Sequence, residues 1–264
     1  MKSARPENAR LRERAGAALL AGRGRGLLKS GLLAARWRPG GGGGRGQRGD
    51  EPMEKRIKVA IDGPVGSGKS TVAKRVARAL GYTYIDTGAM YRAIALKARR
   101  ARVSWDDGKK MASLARGTSV ALEPALGEDE TSVVLLDGVD VSREIRETEI
   151  GGGASKIGTI PGVRRALVAM QKKMAEKGGV VMEGRDIGTV VLPDAELKIF
   201  LSGTVEERAR RRFLELEAKR KKPVMAEVVE EVKARDRQDS TRADSPLRKA
   251  DDGVEVDTTS MTRE

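Results

Sequence analysis

The chain has 264 residues, enough for one sizeable core with small insertions but not for three full domains. It contains no Cys and no His, which excludes disulfides, Cys/His zinc sites and any chemistry that needs a thiolate or an imidazole. The net charge is +14, yet residues 1–52 carry 12 Lys or Arg against 4 Asp or Glu, leaving an ordinary +6 for the rest, and 3% aromatic residues give nucleic-acid bases little to stack on.

Residues 1–52 end in RPGGGGGRGQRGD and show no hydrophobic period, so they are expected to form a solvated basic tail. Three readings compete for it. It is a start upstream of the true one, with the protein beginning at Met53 (MEKRIKVAIDG). It is an Arg-rich, acid-poor organelle transit peptide. Or it is a basic arm that binds RNA or a membrane surface. The functional body is expected over 53–264. No run approaches 18 apolar residues, so no membrane-spanning helix is expected.

From residue 56 the pattern is α/β. Residues 57–61 (IKVAI) read as a buried strand ending in Asp62-Gly63. Val72, Ala73, Val76, Ala77 and Leu80 then recur at helical spacing, and Gly81 stands where a helix C-terminus favours glycine. A short strand over 82–85 and a helix over 88–101 follow. Residues 118–122 and 132–136 read as small strands, the second followed by the turn pair Asp137-Gly138. They suggest a small antiparallel insertion within 103–150. Residues 180–182 and 197–201 (LKIFL) read as two further buried strands, and 254–256 as a weaker fifth strand. Strands alternating with helices imply a parallel sheet covered on both faces. Residues 205–248 are helical and densely charged, suiting either a solvated face or a cover over an anionic ligand.

Gly63, Pro64, Val65, Gly66, Ser67, Gly68, Lys69 and Ser70 fit G-x-x-x-x-G-K-[ST] in full, between a strand and a helix, with Thr71 next in line. Glycines let consecutive N–H groups curl around a phosphate, and the following helix turns its positive end toward the anion. Lys69 is placed to reach the β- and γ-phosphates, and the Ser70 hydroxyl to bind Mg²⁺. This predicts nucleoside triphosphate binding. It does not choose among switches, motors and kinases. After the second strand, Thr87 and Arg92 (in DTGAMYR) lie one helical turn apart, suited to a second phosphate group.

DTGAMYR, VSREIRETEI, EGRDIGTVVLPDAELKIFL, RDRQDSTR and the closing DTT resemble, in order and spacing, the bacterial-type cytidylate kinases over residues 55–259. The resemblance implies a phosphate-loop kinase fold: a five-stranded parallel sheet with flanking helices, an NMP-binding insertion over about 103–165 and a short helical lid over about 205–248. It implies transfer of the γ-phosphoryl of ATP to CMP, and to dCMP, with Mg²⁺. Carried over residue by residue, Thr87, Arg92 and Arg185 would meet the acceptor phosphate. Ser155, Arg164 and Asp186 would surround the cytosine. Arg235, Asp239 and Arg242 would close on ribose and base. A carboxylate accepts from the N4 amine of cytosine and repels the O4 of uracil, which makes Asp186 the expected base reader, with Ser155 and Arg164 as donors to N3 and O2.

Catalysis by this route is positioning and charge neutralisation, by Lys69, Arg185 and one arginine of the run Arg208, Arg210, Arg211, Arg212, with Arg212 the candidate. Expected partners are ATP, CMP and dCMP, acting on a cytoplasmic monomer. There is no membrane partner, and nucleic acid only through the tail. The alternatives are a phosphate-loop kinase for another small acceptor, such as UMP or shikimate, and an RNA-associated NTPase using the tail; no NKxD-like guanine reader is present.

Three departures from the family stand out. Gly151-Gly152-Gly153 precede Ser155 and would cost about 2–3 kcal/mol of helix stability, so Ser155 is expected on a mobile loop. Glu183 stands where some relatives carry Asp and keeps a carboxylate near the magnesium. The sequence reaches Glu264 where relatives usually continue into another helix, so an uncovered apolar face is expected there.

Overall fold

The computed structural model describes residues 56–123, 132–219 and 222–262. The readings of the basic tail fall outside these residues.

The central sheet has five parallel strands in the order β2-β6-β1-β7-β8: β1 (Lys58–Asp62), β2 (Thr83–Asp86), β6 (Val180–Gly184), β7 (Leu197–Ser202) and β8 (Val254–Asp257). β1 lies between β6 and β7, with Asp62 beside Gly184 and Phe200. Its apolar run is buried almost without relief, as a strand covered on both faces must be. Five strands pointing the same way bring Asp62, Asp86, Glu183 and Gly184 to one carboxyl edge, where ligands of open α/β sheets bind. On the outer edge β8 is less covered, and Val254 and Met261 are exposed.

Helix α1 (Lys69–Leu80) follows β1 and stops at Gly81, whose left-handed φ of 63° lets its N–H return to the Ala77 and Arg78 carbonyls. Helix α2 (Thr87–Arg100) follows β2, capped by the Asp86 carboxylate on the Ala89 N–H. Between α2 and β6 lies a separate layer. It comprises α3 (Gly108–Arg116), an antiparallel sheet of β3 (Val120–Glu123), β4 (Val133–Leu136) and β5 (Val139–Asp140), then α4 (Thr148–Ile157) and α5 (Pro161–Met174). Asp137 (φ 49°) and Gly138 (φ 83°) make the β4–β5 turn with two left-handed residues, as the Asp-Gly pair predicts. The layer and α2 share one core around Met90, Ile94, Met111, Ile150, Ile157 and Leu167.

The expectation of a loop before Ser155 is corrected. Residues 148–157 form α4, with Ile150, Gly153 and Ile157 buried along one stripe. Packing outweighs the poor propensity, and one glycine is required by it: a Cβ on Gly153 would lie 2.6 Å from the Trp105 ring. Trp105 is itself tied by its indole N–H to the Ala95 carbonyl at 3.0 Å. Gly151 and Gly152 face open space. Gly151→Ala and Gly152→Ala should therefore each stabilise the fold by about 0.5–1 kcal/mol in urea unfolding. Gly153→Ala should destabilise it by about 1–3 kcal/mol.

After β7, helices α6 (Val205–Ala218) and α7 (Met225–Thr241) form a hairpin. Ala209, Leu216, Val228 and Val232 pack between them, with Val65 of the phosphate loop against the same cluster.

Candidate active site

The loop from Gly63 to Gly68 joins β1 to α1 across the carboxyl edge. Two of its glycines are forced by close approach. A Cβ on Gly63 (φ 149°) would lie 2.1 Å from the Leu201 carbonyl oxygen, and one on Gly66 (φ 76°) would lie 2.7 Å from that of Arg208. α1 opens at Lys69 behind Gly68 with no side-chain cap, so its first N–H groups remain directed out of the helix end. Lys69 is 6% exposed, and its ammonium donates to the Pro64 carbonyl at 2.6 Å. Burial, with Arg185 nearby, pushes its pKa down to about 7. An ammonium held this far from water gains strongly from an arriving polyphosphate.

Beside the loop, the buried Glu183 carboxylate accepts from the Tyr84 hydroxyl and from Ser70. Burial and neighbouring Asp86 raise its pKa. Ser70 and Glu183 are hard oxygen donors at the mouth of the phosphate loop, a set that fits Mg²⁺. Among the described residues no group of three or more Asp or Glu forms a metal cage.

Opposite the loop, six of the carried-over residues form one network. Arg164 pairs with Asp186, Arg242 lies 3.6 Å from Asp186 and 3.9 Å from Asp239, and Asp239 also receives Arg185 at 2.7 Å and Arg235 at 3.3 Å. Arg164 also lies 3.9 Å from Asp244, so four guanidiniums share three carboxylates. The surplus of one positive charge suits an arriving anionic group such as a phosphate. Burial holds both Arg235 and Arg242 below the ordinary arginine range, with like charge from Arg185 and Arg164 respectively adding to it. The Nε of Arg164 and Nη2 of Arg242 are buried without a hydrogen-bond partner.

Thr87 and Arg92 stand at the edge of this network. Thr87 is buried and donates to the Glu183 carbonyl at 2.7 Å; Arg92 pairs with Asp86 at 2.8 Å. Ser155, on α4, meets α7 through Gln238.

The arginines of α6 separate by what they touch. Arg208 is buried, donates to the Val65 carbonyl of the phosphate loop at 3.2 Å and grips Asp236 at 3.0 and 2.6 Å. Arg210 pairs with Glu207, and Arg211 reaches Thr258. Arg212 lies against Glu215 and Glu231 at 3.1 and 3.6 Å, its Nε buried without a partner. The arginine in contact with the phosphate loop is therefore Arg208, and Arg212 faces α7. Sequence reasoning did not single out Arg208 from its neighbours, since only the crossing with α7 brings Asp236 to it.

A second residue missed in the sequence is Asp62. Its carboxylate, 5% exposed, accepts the N–H groups of Ile187 and Gly188 at 2.8 and 2.7 Å. The strand that feeds the phosphate loop thereby holds the turn that carries Arg185 and Asp186. Burial raises its pKa from 3.8 to about 6 despite those two donors. Because the folded value exceeds the unfolded one, the group's stabilising contribution is full below pH 3.8 and is lost as pH rises through about 6. Asp62→Asn should thus cost more stability at pH 4 than at pH 7, measured as the difference in denaturant unfolding free energy. An equal cost at both pH values would contradict the assignment.

With this geometry in place, comparison with known proteins is decisive. Residues 59–264 match the family described as cytidylate kinase. The chain belongs to the cytidylate kinase family. Among relatives bearing that name, one from Geobacter sp. (strain M21) is 51% identical over 211 residues, covering 80% of this chain and 89% of the relative. Another from Solibacter usitatus is 50% identical over 214 residues, covering 80% and 89%. A third from Geobacillus kaustophilus is 50% identical over 212 residues, covering 80% and 93%. Membership of the cytidylate kinase family accounts for the five-stranded parallel sheet and for a nucleotide-phosphate cradle facing an arginine cluster. No helix among the described residues is long and apolar enough to cross a membrane.

Proposed function

We propose that the chain transfers the γ-phosphoryl group of ATP to CMP, and to dCMP, giving ADP and the nucleoside diphosphate. The observation that carries this reading is the pairing of a phosphate cradle with a second cluster, at the same sheet edge, in which four guanidiniums outnumber three carboxylates. The acceptor phosphate is already ionised at neutral pH, so no general base is needed. One of its oxygens attacks the γ-phosphorus in line while the bond to the β–γ bridging oxygen breaks and ADP leaves. Lys69 neutralises the β- and γ-oxygens. Arg185, at the junction of the two sites, orients the acceptor phosphate, with Thr87 and Arg92 beside it. Asp186 accepts from the cytosine amine, Arg164 donates to the ring, and Arg235, Asp239 and Arg242 hold ribose and base.

Ser70 and Glu183 would hold Mg²⁺, which when bound neutralises phosphate charge. The layer within 103–165 acts as the NMP-binding insertion and 205–248 as the lid, with Arg208 tying the lid to the phosphate loop. Closure of that hairpin would exclude water and suppress ATP hydrolysis. ATP and CMP are cytoplasmic metabolites, which supports a cytoplasmic setting for the reaction.

A coupled assay of ADP release, run with CMP, dCMP, UMP, AMP and shikimate, tests the proposal. CMP and dCMP should lead by at least about tenfold in kcat/KM. Turnover with CMP no better than with AMP or shikimate would overturn it.

A further inference from the structure

Ser155 and Gln238 lie 83 residues apart and form a reciprocal pair between α4 and α7. The Gln238 Nε2 donates to the Ser155 carbonyl oxygen at 2.9 Å, and the Ser155 Oγ donates to Gln238 Oε1 at 2.8 Å. The chemistry of the groups fixes these directions. A peptide carbonyl only accepts, so the nitrogen end of the amide must face it. That turns the amide oxygen, also an acceptor only, toward the serine hydroxyl, whose single proton is thereby committed. Around its remaining sides the Ser155 Oγ offers lone pairs alone.

We propose that Gln238 is a specificity-positioning residue: by holding the Ser155 proton, it makes the Ser155 hydroxyl a pure acceptor toward the base. The inference rests on the reading of Ser155 as a neighbour of the cytosine. It changes the role expected for Ser155 from the sequence, where the hydroxyl was a donor to N3 or O2. Facing the N4 amine of cytosine, an acceptor is satisfied. Facing the O4 of uracil, it meets a second acceptor with no proton between them. A hydroxyl free to rotate would accommodate either base; the clasp removes that freedom. Gln238 itself needs no contact with the nucleotide.

The test uses the full chain and four proteins: the parent, Gln238→Met, Gln238→Glu and Ser155→Ala. For each, kcat and KM are measured for CMP and for UMP at saturating ATP, with the KM for ATP as a control. Gln238→Met keeps the side-chain length and helix propensity but has no amide, and should lower the CMP-over-UMP ratio of kcat/KM about tenfold, chiefly through the KM for CMP. Gln238→Glu keeps an oxygen to accept the Ser155 proton and should hold the ratio within about threefold, while the KM values for both acceptors rise together. The KM for ATP should stay within about twofold in both. A residue that only braced α4 against α7 would lower CMP and UMP turnover alike. An unchanged ratio in Gln238→Met, or an equal fall in Gln238→Glu, overturns the role of Gln238. If Ser155→Ala lowers the ratio while Gln238→Met does not, only that role fails. If Ser155→Ala leaves the ratio intact, the placement of Ser155 beside the base fails as well.

Discussion

Lys69→Ala should lower kcat/KM for ATP by about a thousandfold, the scale of losing one preorganised charge from a phosphoryl-transfer site. The ammonium is the cation built into the loop that surrounds the donor phosphates, and it is 6% exposed. The KM for CMP should move by less than about threefold, since the acceptor cluster is intact. The same variant should be no less stable than the parent. Folding presses the Lys69 pKa from 10.5 down to about 7, so the nucleotide-free fold carries this charge at a cost which alanine removes. Stopped-flow or coupled ADP assays together with thermal unfolding check both halves. A loss below about tenfold would mean that another cation, Arg185 foremost, takes the γ-phosphate.

Asp186→Asn should raise the KM for CMP about a hundredfold and bring the CMP-over-UMP ratio toward unity, leaving the KM for ATP within about twofold. Two effects act together. The amide keeps the size of the carboxylate but replaces one acceptor with a donor, which the cytosine amine cannot use. It also removes the negative charge on which Arg164 and Arg242 converge, raising the local surplus from one positive charge to two. Asparagine is preferred to alanine here, because a buried Arg164 left facing a void would confuse folding with recognition; breaking one partner of a buried pair costs about 3–5 kcal/mol. Steady-state kinetics with both pyrimidine nucleotides separate the outcomes. A larger rise in the KM for ATP than for CMP would remove Asp186 from the acceptor site.

Much of this architecture can be read in the chain because local physics sets it. The run at 57–61, the glycines from Gly63 to Gly68, the apolar spacing through Leu80 and the stop at Gly81 each obey a rule spanning fewer than ten residues. Their outcome in β1, the phosphate loop and α1 follows them closely. The Asp137-Gly138 turn behaves in the same way. Helix α4 is the counterexample. Three glycines argue locally against it, and only the Trp105 ring pressed against Gly153, with Ile150 and Ile157 in the core, shows why the helix forms there.

The site divides along the same line. The sequence by itself determined which residue types gather at the sheet edge: a lysine and a serine behind a glycine loop, and arginines and aspartates in short motifs. Tertiary structure alone decided who pairs with whom. Asp62 reaches Ile187 across 125 residues, Arg208 reaches Val65 across 143, and Gln238 clasps Ser155 across 83. A backbone pattern is a property of neighbours along the chain and leaves its mark there. A hydrogen bond or an ion pair between distant side chains leaves none, since its energy depends on a geometry that exists only once the sheet and the α6–α7 hairpin have packed.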